Sequence, residues 1–136
     1  MSAEDIKCVL LADRHHSLTE GVRGLLETTF EAVVMVADKD SLFESAKRLQ
    51  PTLAVVDLSL VRGESPVWLQ RLRAACPKLK LIVLSVHDEP SVRKAVLEAG
   101  ADAFVVKRAL ATDLLPTVDA VLARHGHDVA AAPKEL

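Results

Sequence analysis

The chain has no tyrosine, one tryptophan and three phenylalanines, so aromatics make up 3% of its 136 residues. A platform that stacks bases or sugar rings needs more flat side chains than that. There is no run of basic residues and the net charge is -2, so direct contact with nucleic acid is not expected. The two cysteines, Cys8 and Cys76, lack the spacing of a metal or redox motif and read as buried free thiols of a reducing compartment. The five glycines, at 21, 24, 63, 100 and 126, are too scattered to form a phosphate loop, which argues against a flavin or dinucleotide site. No apolar stretch approaches the roughly 20 residues that cross a bilayer. The start, Met1-Ser2-Ala3-Glu4-Asp5, is acidic and polar, unlike a secretory signal. Membrane insertion is thus not expected, and a cytoplasmic location is.

What remains is a chain that is 50% hydrophobic and 26% charged, the balance of a folded domain rather than a disordered one. Short apolar runs recur at 6–12, 32–37, 53–56, 79–86 and 103–106. They are rich in Val, Ile and Leu and do not alternate with polar residues, the texture of strands buried on both faces. Between them lie amphipathic stretches with helix-start signals: Ser17-Leu18-Thr19-Glu20, Ser41-Leu42-Phe43-Glu44, Ser65-Pro66 and Pro90. Pro116 falls in the first turn expected for the last helix, and Gly100 fits the position just past the fourth. The order is (βα) five times. Right-handed crossovers then give an α/β, doubly wound three-layer sandwich. The expected domain spans 1–124. Residues 125–136, with Ala and Pro, read as a flexible tail or a linker stub, too short to hide a DNA-binding domain.

Ligands of such sheets bind beyond the carboxyl ends of the strands. The polar residues there are Asp13-Arg14, Asp38 and Asp40, Asp57 and Ser59, Ser85 with His87 and Asp88, and Lys107. With strand order 2-1-3-4-5, those of strands 1, 3, 4 and 5 converge. A single Asp or Lys after a strand is commonly a cap or a solvated charge, but four neighbouring strand ends contributing polar groups point to a cleft. A carboxylate at Asp57 can attack phosphorus, and Lys107 and Ser85 can hold the phosphoryl oxygens. A divalent metal would bridge carboxylate and phosphoryl oxygens.

Four segments carry a resemblance. Val9-Leu10-Leu11-Ala12-Asp13-Arg14-His15, Val55-Val56-Asp57-Leu58-Ser59-Leu60, Ile82-Val83-Leu84-Ser85 with His87-Asp88, and Glu98-Ala99-Gly100-Ala101-Asp102-Ala103-Phe104-Val105-Val106-Lys107 resemble, in order and spacing, the motifs of response regulator receiver domains. The likeness is nearest to the receivers of LuxR-type regulators and covers residues 6 to 124. It implies a flavodoxin-like fold and a two-component signalling role. Asp57 would accept a phosphoryl group from a histidine kinase or phosphotransfer protein. Lys107 would pair with that group. Ser85 would move to hydrogen-bond it, and Phe104 would rotate inward. Asp13, Asp57 and the Ser59 backbone would hold Mg2+. The face formed by the fourth helix, fifth strand and fifth helix would then dock a downstream protein or a second copy, with Leu97 and Leu110 exposed beside Arg93 and Lys94.

The chain departs from the family pattern at Arg14, where receivers carry a second acid. Asp13 and Asp57 are then offset by Arg14 and Lys107, giving about zero rather than about -2, so Mg2+ binding is expected to be weak. Two outcomes are open: the guanidinium folds toward the carboxylates, which attract it, or it extends into solvent. Val86 replaces a small residue beside the route to Asp57, and His87 lies near the path of attacking water. Val61 and Arg108 stand where many receivers have proline, and Arg62-Gly63-Glu64 reads as a flexible turn. These departures frame an alternative, an atypical receiver that acts as a protein-interaction module with little or no phosphorylation. A haloacid-dehalogenase-like phosphatase is disfavoured, because its Asp-x-Asp follows the first strand whereas Asp57 follows the third. No enzyme activity is expected beyond self-catalysed phosphotransfer and dephosphorylation at Asp57. The chain is either a stand-alone receiver or a piece of a longer regulator.

Overall fold

The computed structural model describes residues 8–13, 16–61 and 65–123. Five strands, β1 (Cys8–Ala12), β2 (Ala32–Val36), β3 (Leu53–Asp57), β4 (Lys80–Ser85) and β5 (Ala103–Val106), form one sheet. Its order is β2-β1-β3-β4-β5 and every pairing is parallel. The helices are α1 (His16–Glu27), α2 (Lys39–Leu49), α3 (Ser65–Ala75), α4 (Pro90–Glu98) and α5 (Leu110–Ala123). This is the expected doubly wound, flavodoxin-like α/β fold.

The uninterrupted apolar strands are explained by two separate cores. Leu10, Ala12, Ala54, Val56, Leu81, Val83 and Phe104 point to one side, against Leu42, Leu69, Leu72 and Val96 of α2, α3 and α4. Val9, Leu11, Leu53, Val55, Ile82, Leu84 and Val105 point to the other, against Val22, Leu26, Leu114 and Val118 of α1 and α5. Each fully buried Leu contributes about 2 kcal/mol through apolar area removed from water. β3, at the centre, is buried along its whole length.

Local signals placed some helix ends differently from expectation. The cap of α2 is Asp38, not Ser41: its Oδ1 accepts the Ser41 N–H at 2.7 Å and its Oδ2 the Ser41 hydroxyl at 3.1 Å. Those backbone and side-chain bonds from Ser41 hold the Asp38 carboxyl below its ordinary range. α1 starts at His16, so Ser17 lies within it. α5 starts at Leu110, straight out of a 3-10 turn (Lys107–Ala109), so Pro116 sits inside the helix instead of in its first turn. The same early start turns Leu110 inward in line with Leu114 and Val118, and it is buried rather than exposed. Pro90 opens α4 as expected, and Gly100 after it has φ +120. The thiols of Cys8 and Cys76 are free but only half-buried; that burial pushes both up. The turn at Arg62-Gly63-Glu64 and the tail 125–136 lie outside the described residues.

At the amino ends of β4 and β5 one guanidinium gathers several chain segments. Arg73 of α3 donates from Nη2 and Nε to the Gly100 carbonyl at 2.8 and 3.2 Å. It also donates to the carbonyls of Pro77 and Leu79 and pairs with Asp102 at 2.9 Å. The same Asp102 oxygen accepts the Leu81 N–H at 2.8 Å.

Candidate functional site

The register of the sheet sets the site. Ala12 pairs with Val56, so the next residues, Asp13 and Asp57, emerge side by side. Asp57 pairs with Leu84, one residue before Ser85, and Ser85 pairs with Val106, one before Lys107. Four residues read from the sequence thus end neighbouring strands at one edge. Asp13, Asp57 and Ser85 are buried, at 5%, 2% and 2% exposure.

Lys107 joins them. Its Nζ lies 3.0 Å from Asp57 Oδ2 and 3.5 Å from Asp13 Oδ2. Asp57 Oδ2 also accepts the Ser59 hydroxyl at 2.7 Å, and Oδ1 accepts the Ser59 N–H at 3.3 Å. Ser59 stands in the 3-10 turn (Leu58–Val61) that follows β3. Burial pushes the Asp57 carboxyl up, but the Ser59 hydroxyl, the Lys107 ammonium and the Ser59 N–H together outweigh it and leave the group below its usual range. Asp57 is therefore a buried carboxylate that stays ionised at neutral pH, which is the form that attacks phosphorus. The sequence reading used only the backbone of Ser59; its hydroxyl makes the shorter bond.

Ser85 Oγ accepts the His87 N–H at 2.9 Å and keeps its own proton to donate. Val86, directly after Ser85, is 67% exposed. His87 is exposed too, with Nδ1 3.7 Å from Glu89. Phe104 is already buried in this structure, and the guanidinium carbon of Arg93 lies 5.2 Å from its ring centre. Asp38 and Asp40, on the β2 side, do not join the site; Asp38 is an exposed helix cap. Arg14, on which both expected outcomes turned, lies outside the described residues. Sequence reasoning also missed an ion pair between Asp88, in the loop beyond β4, and Arg108, in the 3-10 turn beyond β5. Opposite charges just past neighbouring strands were the available signal.

Among the described residues no group of three or more His, Cys, Asp or Glu side chains could hold a metal. Mg2+ needs only one or two carboxylates when phosphate oxygens complete its shell. The donor set of Asp13 and Asp57 fits such an ion, in competition with the ammonium they already share.

The parallel five-stranded sheet thus brings a buried carboxylate, a lysine and a serine together at its carboxyl edge. The chain belongs to the response regulator receiver domain family, whose model matches residues 9–119. It is similar to the transcriptional regulatory protein DegU of Brevibacillus brevis, 28% identical over 115 residues, covering 83% of this chain and 49% of that protein. The transcriptional regulatory protein RcsB of Escherichia coli (strain K12) is 29% identical over 112 residues, covering 78% of this chain and 51% of RcsB. The chain thus spans about half the length of the curated relatives it matches. A response regulator from Thermotoga maritima has the same fold, with a TM-score of 0.78 at 23% identity, covering 87% of this chain and 98% of that one. Two-component signal transduction is the setting these matches define. Receiver domains are not, in general, enzymes, and they typically use Mg2+ in phosphorylation. Among the described residues no helix is long and apolar enough to cross a membrane.

Proposed function

We propose that residues 1–124 are a phosphoacceptor module that takes a phosphoryl group onto Asp57 from the phosphohistidine of a histidine kinase or a phosphotransfer protein. A carboxylate oxygen of Asp57 forms the new O–P bond, the P–N bond breaks, and its electron pair returns to the imidazole nitrogen, which takes up a proton. The reading is carried by the buried Asp57 carboxylate held ionised against the Lys107 ammonium at 3.0 Å. Lys107 then offsets the added phosphoryl charge, and the Ser85 hydroxyl supplies a donor from the β4 side. Phe104 and Arg93 link this edge to the face of α4, β5 and α5, where a downstream protein or a second copy docks. The location is cytoplasmic, and the receiver itself does not touch nucleic acid. Incubation with acetyl phosphate and Mg2+, read by intact mass, tests the reading. The chain is expected to gain one phosphoryl group and Asp57→Asn none; no gain in the parent chain overturns it.

Asp13, Asp57 and the Ser59 backbone would hold Mg2+, which would supply charge neutralisation during the transfer. Arg14 is a cation at a sequence position where the family has an acid, so Mg2+ affinity is expected to be weak. Mg2+ titration followed by NMR is expected to show tighter binding in Arg14→Asp. Equal affinities in the two proteins would remove Arg14 as the cause.

A further inference from the structure

In the proposed function the loop between β4 and α4, residues 86–89, brings Ser85 to the phosphoryl group; backbone bonds fix its two ends, and few side-chain contacts hold its middle. The His87 N–H donates to Ser85 Oγ of β4 at 2.9 Å, His87 Nδ1 approaches Glu89 at 3.7 Å, and the Glu89 carbonyl accepts the Val92 and Arg93 N–H groups of α4 at 3.1 and 3.2 Å. Val86 makes no apolar anchor, being 67% exposed. Among the described residues, the side-chain contact that leaves this loop for another element is the pair of Asp88 Oδ2 with Arg108 Nη2. Arg108 directly follows Lys107, whose Nζ spans Asp57 and Asp13. Ser85 and Val106 are register partners, so the pair continues the β4–β5 adjacency beyond the last ladder position. The hydrogen bond and charge of Arg108 hold the Asp88 carboxyl below its ordinary range, as expected of a formed pair.

We propose that the Asp88–Arg108 pair is a positioning tie. It fixes the Ser85 loop relative to the strand end that carries Lys107, so that the serine hydroxyl and the ammonium face the phosphoryl position at a set separation. The inference rests on Asp57 being the phosphoacceptor and names two residues that act through Ser85 and Lys107 without touching the phosphoryl group. Ordering the loop during folding removes part of the ordering cost that phosphorylation would otherwise carry. Both side chains are more than half exposed, at 52% and 69%, so the effect is a modest one.

The tie is distinguishable from a plain charge effect on anionic donors. If Asp88 only screened Arg108, Asp88→Asn would raise the attraction for an anion and Arg108→Gln would lower it. A tie makes both changes act in the same direction. The first measurement is hydrogen exchange of the His87 amide in the unphosphorylated chain. Each single variant is expected to exchange about twofold to fivefold faster, the range of an exposed ion pair, and the swap Asp88→Arg with Arg108→Asp to return toward the parent rate. The second is binding of beryllofluoride with Mg2+, expected to weaken by a similar factor in both single variants and to recover in the swap. Unchanged His87 exchange, or beryllofluoride shifts of opposite sign, overturns the tie. If the parent chain binds no beryllofluoride, the phosphoacceptor reading fails, while the exchange comparison still decides whether the pair holds the loop.

Discussion

Lys107 is the residue on which the charge balance of the site turns. It is 7% exposed and stands against two buried carboxylates. Replacing it by methionine keeps the stem but leaves those charges uncompensated, a change that costs about 3 kcal/mol at neutral pH. The sign with pH follows from Asp57. Its folded value is depressed, so its contribution is fully present above the ordinary carboxylate value of about 3.9 and is lost as pH falls through the lower folded value. In Lys107→Met, burial is opposed by Ser59 alone and the carboxyl rises. Urea unfolding is therefore expected to show the largest gap between parent and variant near neutrality, closing as the pH falls. A pH-independent gap would mean that the loss is packing, not charge. Asp57, Ser85 and Lys107 were legible because each ends an apolar run, and strand order alone brings those ends together. Asp88 and Arg108 were not, because a contact across 20 residues of sequence depends on how two loops leave their strands.

At the scale of elements, the joint between α4 and β5 is the most constrained. Gly100 has φ +120, and a Cβ there would lie 3.3 Å from Cβ and Cγ of Arg73. Gly100→Ala thus adds backbone strain and crowds the side chain whose guanidinium holds the Gly100 carbonyl. A loss of about 1–2 kcal/mol is expected in urea unfolding, with faster amide exchange at Leu81 and Asp102. Stability equal to the parent would show that the turn can relax. The existence of every helix was readable from its apolar spacing, but the ends were less so. Asp38 took the cap of α2 because its carboxylate accepts two bonds from Ser41, where a serine cap would offer one oxygen. Leu110 was expected on the surface because the start of α5 was placed a turn too late. The 3-10 turn after β5 passes directly into the helix, and its phase carries Leu110 to the sheet.

The whole molecule is two cores divided by one sheet. Leu69 is fully buried in one and Leu114 in the other. Truncation of either to Ala is expected to cost about 3 kcal/mol. Since the two share no partners across the sheet, the double variant should lose close to the sum, within about 0.5 kcal/mol. Urea midpoints with an unchanged m-value check this; strong coupling would mean that the sheet transmits repacking between its faces. The fold was legible in full because strands apolar on both sides admit few other arrangements. The position of Arg14 was not, since no periodicity fixes a charged residue just past a strand. The guanidinium of Arg73 has a consequence for motion. It clamps the amino ends of β4 and β5, with the turn before β5, into one rigid hub. At the carboxyl ends of the same two strands, Ser85 leads into the loop 86–89 and Lys107 opens the 3-10 turn that passes into α5. The pair therefore behaves as a lever with its fulcrum at the far end. A displacement at those carboxyl ends is expected to fade toward Arg73, and amide exchange compared along β4 and β5 checks that gradient.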